Sequence, residues 1–555
     1  MSDPVKVAFF GGLGEIGRNM ATIEHRGRIL IVDVGLIFPD ADQPGVDLVL
    51  PDWSELRERA GDIDGVVITH GHEDHFGALP FFLREFPDVP IHGTAMTLGL
   101  LRSKLTEEPE LDPDAGGSTR LVEVEAGDRL EIGPFDVELI GVAHSIPDGV
   151  AVAVRTPHGT ILHSGDFKLD QTPIDGRPTD LPHFAALGDD GVDLLLADST
   201  NADQPGYVPS ERTVGEAIRS VLAEAEGRVI LTTFASHIHR VQQAIDAARA
   251  AGRKICFVGR TMVRNVPIAR DLGQLDYDDA EVVELAELEQ LPRDQQAIIC
   301  TGSQGEPFAA LSLMAAGRHR QVRLEEGDTV VMASSVIPGN ESAIFRSING
   351  LFRQGARVVH KGVANVHVSG HAAADELKLF HNVVRPGAFV PVHGELRHLV
   401  AHARIAEETG TPSDQVLVCE DGDTVLLEDG RVRRGKRIRS GRVFVDGLGV
   451  GDVGRAVLRD RERLSSEGIC VAVIMLDERG RPAGEPQVVQ QGVIDAREHP
   501  EVVDQARERL AAALAKSEHG GDASVVRRVA TDALREFWRE TVGRRPAILP
   551  SIVEA

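Results

Sequence analysis

Cysteine and aromatic residues are scarce in this chain, and long apolar runs are missing. The four cysteines, Cys256, Cys300, Cys419 and Cys470, are far apart and form no C-x-x-C pair. That argues against a disulfide framework or a cysteine-rich zinc site and leaves buried, reduced thiols. Aromatic residues make up only 4%, too few for an extended Trp/Tyr platform on which bases stack. No run of about 18 uninterrupted apolar residues occurs, so no membrane-spanning helix and no membrane partner are expected. The N-terminus, Met1-Ser2-Asp3-Pro4-Val5-Lys6, lacks the basic start and apolar run of a signal peptide, so a cytoplasmic location is expected. Cations are outnumbered, 59 Lys and Arg against 86 Asp and Glu, for a net charge of −27. Such a chain does not coat nucleic acid non-specifically, although a local basic groove remains open to it.

What is present is enough chain, 555 residues with 42% hydrophobic, for two to four domains with sizeable cores. The first part reads as short strands (5–10, 20–24, 28–32, 65–69, 137–142, 160–163, 193–197) and an amphipathic helical stretch over 76–86. From about residue 210, strands at 228–232, 254–258, 329–333 and 356–360 alternate with helices at 239–251 and 341–354. That rhythm predicts a parallel sheet with crossover helices, inserted as a second domain. The chain then returns to His-bearing loops and a strand-loop-helix over 388–408. The Gly-rich run Asp446-Gly447-Leu448-Gly449-Val450-Gly451-Asp452 reads as a linker. A small unit follows, with strands at 469–476, 487–494 and 547–553 and helices at 500–516 and 523–542. The boundaries expected are 1–208 and 363–445 for a divided first domain, 209–362 for the insertion, 446–466 for the linker and 467–555 for the C-terminal domain.

Two features invite a reading that the rest of the sequence qualifies. Gly12-Leu13-Gly14-Glu15-Ile16-Gly17 follows a strand, with Asp33 about 20 residues on, as in a dinucleotide site. The segment after it alternates and turns at Gly27, as a hairpin does, whereas a dinucleotide site needs a helix starting at the glycines. Arg431, Arg433, Arg434, Lys436, Arg437, Arg439 and Arg442 gather seven cations in a short stretch. A solvated charged loop and a phosphate-tracking surface both remain open for it.

The decisive segment is Thr69-His70-Gly71-His72-Glu73-Asp74-His75-Phe76-Gly77. Three imidazoles and a carboxylate packed this closely would be costly to bury without partners. Imidazole suits zinc and its neighbours, carboxylate oxygen suits harder ions, and a mixed set suits a pair of metals. Further candidate ligands sit just past strands: His144, Asp166 in Ser164-Gly165-Asp166, and His393 in Val392-His393-Gly394. A glycine before Asp166 permits the close approach that a bridging carboxylate requires.

This set resembles the metallo-β-lactamase superfamily, with Asp33, the H-x-H-x-D-H run, His144 and Asp166 as its successive motifs. The insertion, with Asp198 in Ala197-Asp198-Ser199-Thr200-Asn201, His367 in Val366-His367-Val368-Ser369-Gly370-His371-Ala372, and His393, is similar to the β-CASP branch that cleaves nucleic acids. Within that branch the chain resembles the bacterial ribonuclease J family over essentially its whole length, including Thr301-Gly302-Ser303-Gln304-Gly305-Glu306 and the run 445–452. The resemblance implies an αββα sandwich with an inserted β-CASP α/β domain and a small α+β C-terminal domain. It implies one metal on His70, His72, His144 and Asp166 and another on Asp74, His75, Asp166 and His393. Zinc and manganese both fit such ligands, and Asp33 would orient them from behind. His367, oriented by Asp198, is the general acid expected to protonate the leaving 3′ oxygen; a turn or cap role is the alternative for Asp198. Products would carry a 5′ phosphate and a 3′ hydroxyl.

The same resemblance implies 5′-to-3′ exonuclease action on 5′-monophosphorylated single-stranded RNA together with endonuclease action, in RNA decay and maturation. A homodimer or homotetramer, within an RNA-degrading complex, is the assembly it suggests. A pocket for the terminal phosphate is then expected, with donors from Ser236, His237, Ser369, Gly370, His371 and Ala372, although such loops also occur as plain turns. Three rivals compete with this reading: a small-molecule hydrolase of the same superfamily, a nuclease of mRNA 3′-end processing, and a non-catalytic scaffold. The inserted domain, the C-terminal unit and the complete ligand set weigh against them in turn.

Overall fold

The computed structural model describes residues 4–40, 42–306, 309–334, 340–447, 449–516 and 522–554. Residues 1–3 of the N-terminus and Leu448 of the expected linker lie outside the described residues. The chain forms two compact units, one within Met1–Ile37 and Val49–Val443, the other within Phe38–Leu48 and Phe444–Ala555.

The larger unit is built on two sheets. The first runs in the order Arg431–Arg434, Thr424–Glu428, Val5–Gly11, Met20–His25, Arg28–Val32, Ile63–Val67, Ile91–Gly93, Leu121–Glu123, antiparallel as far as Arg28–Val32 and parallel beyond it. The second runs Ala388–Val392, Leu194–Asp198, Gly159–His163, Val150–Thr156, Phe135–Gly141, Arg129–Ile132. Its first three strands are mutually parallel and the remainder antiparallel. Side chains alternate between the faces of a strand, and the burial follows that period. Val150, Val152 and Val154 join Phe9, Ile23, Leu30, Leu194 and Val390 in the core shared by both sheets. The intervening Ala151 and Ala153 join Leu195, Phe167, Phe184, Phe380 and Phe389 in a second core. Helices Leu181–Asp190, Ala374–Val384 and Leu396–Glu408 contribute to that second core, giving the sheet-on-sheet arrangement with outer helices that was expected.

The segment between residues 209 and 362 forms a five-stranded, wholly parallel sheet, in the order Lys254–Val258, Gln296–Cys300, Val229–Thr232, Thr329–Met332, Arg357–Val359. The strand Gln296–Cys300 lies between Val229–Thr232 and Lys254–Val258, so these two are not neighbours. The sequence reading left it out; all five of its residues are buried.

Two other local differences have physical causes. The stretch over 76–86 is two helices, Glu73–Phe76 and Leu79–Glu85, because the Ala78 N–H donates to Val34 O (3.0 Å) instead of continuing the first helix. The predicted linker holds a helix, Arg455–Glu467, which buries Leu458. In the smaller unit a sheet ordered Gln487–Gln491, Ile469–Leu476, Ala547–Glu554 carries helices Pro500–Lys516 and Ala523–Thr541. Their common core centres on Ile474, Leu510, Leu534 and Trp538. No helix among the described residues is long and apolar enough to cross a membrane.

Candidate metal centre

Parallel pairing sets the site. Leu194–Asp198 lies between Gly159–His163 and Ala388–Val392, with Asp198 opposite Val392 and His163 opposite Leu196. All three strands therefore end at one edge, where Asp198, the last residue of its strand, meets Asp166 and His393 just past theirs. His144 arrives after Phe135–Gly141, and His70, His72, Asp74 and His75 arrive after Ile63–Val67 on a turn and the short helix Glu73–Phe76. The predicted strand over 65–69 ends at Val67, which frees Ile68 and Thr69 to curve into that turn.

The expected ligands gather in two overlapping tetrads, His70/His72/His144/Asp166 and Asp74/His75/Asp166/His393, each with donor atoms within 4.8 Å of one another. Asp166 belongs to both. His72 Nδ1 lies 3.0 Å from His70 Nε2 and 3.2 Å from His144 Nε2. Asp166 Oδ2 lies 3.7, 3.9 and 3.2 Å from the Nε2 atoms of His70, His144 and His75. His393 Nε2 lies 3.2 Å from Asp74 Oδ2.

Nitrogens converging on one point need a positive centre between them, since neutral imidazoles cannot all donate to one another. The back of each ring is engaged elsewhere. His144 Nδ1 donates to Gly370 O (2.7 Å), His70 Nδ1 meets Thr69 Oγ1 (3.1 Å) and His393 Nδ1 meets Thr200 Oγ1 (3.0 Å). Asp33, at φ +61, accepts from Thr69 N and Thr69 Oγ1 and holds His75 Nδ1 at 2.7 Å. This is how metal-binding histidines are oriented from behind.

The electrostatics divide the cluster. Burial holds His70 and His144 well below the ordinary histidine value, with neighbouring histidines adding to the effect, and holds His72 down at about 4. These rings are neutral and able to ligate. Burial would lower His75 and His393 as well, but carboxylates outweigh it. Asp166, Asp33 and Asp74 raise His75 well above its usual value, and Asp166, Asp198 and Asp74 push His393 up to about 10. Without a cation, protons take the place of positive charge among these carboxylates. The donor set thus fits a pair of divalent cations.

Two glycines make the geometry possible. Gly165 sits at φ +56, and a Cβ there would lie 2.9 Å from Val150 O. At Gly35 a Cβ would lie 1.7 Å from Asp74 O, in a segment laced to the metal loop by Val34 N→His75 O (2.7 Å) and Leu36 N→Glu73 O (3.1 Å). Gly35→Ala must therefore push Asp74 and His75 aside. It is expected to weaken the second cation by about 10- to 100-fold, the scale seen when ligand orientation is disturbed, as read by competition with a fluorescent chelator. Unchanged affinity for both ions would rule this out. The glycine run at Gly12 starts no helix; Gly12 O instead accepts the His393 N–H at 2.9 Å.

The expected acid pair is placed differently. Asp198 Oδ2 meets His371 Nδ1 at 2.8 Å, and no contact joins Asp198 to His367 among the described residues. His367 Nδ1 instead lies 2.6 Å from Arg240 Nη1. Burial, reinforced by Arg240, Lys361 and Lys168, holds His367 well below the usual histidine value. Burial opposes charge on His371 too, but Asp198 and Asp166 raise it above that value. Asp198 thus favours a proton on His371, whereas Arg240 and burial disfavour a second proton on His367.

The expected phosphate donors are also unequal. Ala372 N donates to Phe167 O (2.7 Å) and His371 N to Ser369 Oγ (3.2 Å), so neither N–H is open to a ligand. His237 caps the Ile238–Ala250 helix, where its side chain accepts from Arg240 N. Ser369 Oγ accepts from Asn201 Nδ2 at 2.7 Å. The hydroxyl of the half-buried Ser236 and the Gly370 N–H have no partner among the described residues. The arginines of the basic run face carboxylates: Arg431–Asp414, Arg433–Glu428, Arg434–Asp423, Arg437–Asp423, Arg439–Asp52 and Arg442–Glu15. That supports the solvated reading of the run over a phosphate track.

Sequence reading missed Asn19, whose Nδ2 donates to Asp74 O (3.0 Å) and lies 3.1 Å from His75 Nε2, as well as Thr69, Thr200, Glu211 and Arg240. Only Arg240 left a signal, as a cation on the buried side of the Ile238–Ala250 helix.

Four family models match the chain: a beta-lactamase superfamily domain over residues 38–254, a ribonuclease J beta-CASP domain over 226–351, a Zn-dependent metallo-hydrolase RNA specificity domain over 355–418, and a ribonuclease J C-terminal domain over 456–555. Among curated relatives, ribonuclease J of Mycolicibacterium smegmatis is 46% identical over 99% of this chain and 97% of its own length. Ribonuclease J of Mycobacterium tuberculosis is 45% identical (100% and 98%), and that of Thermus thermophilus 41% identical (100% and 96%). A crystal structure of a protein of unknown function from Enterococcus faecalis matches 76% of this chain and 100% of its own at TM-score 0.53 and 16% identity, a likeness of fold alone.

Proposed function

Because the chain belongs to the ribonuclease J family, we propose that it hydrolyses single-stranded RNA from a 5′-monophosphorylated end, with additional internal cleavage, at a centre of two divalent cations. That it is a metal-dependent ribonuclease follows from the family; the direction, the end preference and the cation count are our reading. The observation that carries it is the pair of tetrads sharing Asp166.

Held there, two cations, zinc or manganese, would supply Lewis acidity, lowering the pKa of water and offsetting charge on the phosphate oxygens. The protein's own groups do the rest. Neutral His70, His72 and His144 offer lone pairs, and Asp33, Thr69, Thr200 and Gly370 O fix the rings. His371, on which Asp198 favours a proton, stands beside the centre with its ring 4.9 Å from that of His144. It is placed to deliver a proton to the departing 3′ oxygen, so the acid role expected of His367 passes to His371. Ser236, Ser369 and Gly370 are the groups left to receive a 5′ phosphate.

A 3′-labelled RNA with a 5′ monophosphate, compared with its 5′-hydroxyl twin, tests the reading. We expect progressive loss of nucleotides from the 5′ end, about tenfold or more faster with the phosphate, since one charge-assisted contact contributes more than 1 kcal/mol. Equal rates on both RNAs would eliminate the phosphate pocket. Cleavage confined to internal positions would eliminate the exonuclease.

A further inference from the structure

Arg240 makes no contact with the candidate cation ligands, yet it is wholly buried at 0% exposure. Its Nε donates to Glu211 Oε1 at 2.9 Å, and its Nη2 reaches both Glu211 oxygens at 2.7 Å. Nη1 donates to Ala333 O at 2.7 Å, just past the strand Thr329–Met332 of the inserted sheet. The one N–H that remains is aimed at His367 Nδ1, 2.6 Å away. A guanidinium has five donors, no acceptor, and does not deprotonate in proteins. The imidazole Nδ1 must therefore present its lone pair, and the ring's single proton resides on Nε2.

We propose that Arg240, clamped by Glu211, is a positioning residue that locks His367 as a neutral ring with its proton on Nε2, a fixed hydrogen-bond donor to a phosphate oxygen of bound RNA and not a proton carrier. The lock rests on geometry alone; its use on RNA rests on the reading in the preceding subsection.

The charges around the ring explain why it stays neutral. Lys168 pairs with Asp170 at 3.2 Å, and Asp170 Oδ2 also accepts the Glu211 N–H at 3.0 Å. Two buried cations, Lys168 and Arg240, are thus offset by two buried carboxylates, Asp170 and Glu211. His237 lies 3.8 Å from Glu211, His239 lies 4.0 Å from Asp175, and the exposed Lys361 adds positive charge from solvent. A proton on His367 would be an unmatched buried charge. His367 Nε2 has no partner among the described residues, so its N–H is open to a ligand. The same guanidinium ties the inserted sheet, through Ala333 O, to the loop that carries His367 and His371. Shifting the insert would turn the ring.

The test is a histidine-labelled holoenzyme followed by NMR between about pH 5 and 8, with the His367 signal assigned by its loss in His367→Gln. In the wild type we expect the nitrogen shifts of a neutral Nε2–H ring, unchanged across that range. In Arg240→Gln the ring should titrate within about one unit of the ordinary value near 6.5. Hydrolysis should agree: kcat/KM of Arg240→Gln gains an ionisation that is missing from the wild type and from the Arg240→Gln/His367→Gln double variant. A wild-type ring that titrates, or carries its proton on Nδ1, overturns the proposal with no activity measured. A folded Arg240→Gln whose His367 stays neutral removes Arg240 from the role. If Arg240→Gln does not fold, Glu211→Gln/Arg240→Gln, which removes the buried ion pair whole, must bring the His367 midpoint into the observable range, and a silent ring there counts against the proposal. Should the NMR hold while no form cuts RNA, the nuclease reading fails and the lock survives.

Discussion

Asp166→Ala is expected to lower the rate of RNA hydrolysis by at least about three orders of magnitude, the upper range for removing one group that stabilises charge in a transition state. The expectation is this large because Asp166 is the one residue common to both ligand tetrads. It is buried, and its two oxygens approach His75 and His393 at 3.2 Å each. Removing it leaves each tetrad with three donors and takes away the negative charge that both cations would share. Metal analysis of the purified variant should show fewer than one tightly held ion per chain. His72→Ala, which touches only one tetrad, should retain one. A fully metallated Asp166→Ala enzyme with wild-type activity would refute the shared-ligand arrangement, whatever the substrate.

His371→Gln is expected to slow RNA hydrolysis by about 10²- to 10⁴-fold, the ordinary contribution of a positioned acid, while both metals stay bound. The 3′ oxygen of RNA leaves as a strongly basic alkoxide unless it is protonated. A p-nitrophenyl phosphodiester leaves as a stable phenolate and needs no acid. The variant should therefore lose far less activity on the aryl ester than on RNA. Asp198→Asn should show the same split more weakly, because Asp198 charges and holds His371 at 2.8 Å without touching the leaving group itself. Equal losses on both substrates would mean that His371 holds the substrate or a metal and is not the acid.

The metal ligands were legible because they are loop residues at strand ends, where nothing else requires three histidines and an aspartate in a row. The strand from Ile469 to Leu476 and the helix from Pro500 to Lys516 were legible to the residue, since strong periodicity runs their full length. The division of labour between His367 and His371 was not. They lie four positions apart in one turning loop, and only the fold decides which ring faces Asp198 and which faces Arg240. The Glu211–Arg240 clamp was hidden for another reason: two charges 29 residues apart look like surface until the helix that carries one of them is packed. The place of Gln296–Cys300 in its sheet was likewise a matter of topology, which no local pattern encodes.

The pairing of Leu194–Asp198 beside Ala388–Val392 has an evolutionary consequence. The polypeptide leaves the sandwich past Asp198 and comes back beside its exit, where Asn201 bridges Ala373, before the helix Ala374–Val384 leads on to Ala388–Val392. The whole excursion therefore behaves as a cassette whose two ends meet at the metal edge. Lengthening such an excursion changes its closure entropy only logarithmically. Lineages can exchange or enlarge the cassette while Asp166 and His393 keep their places. Diversification of what is cleaved should accumulate in the cassette, and the hydrolytic centre should stay frozen beneath it.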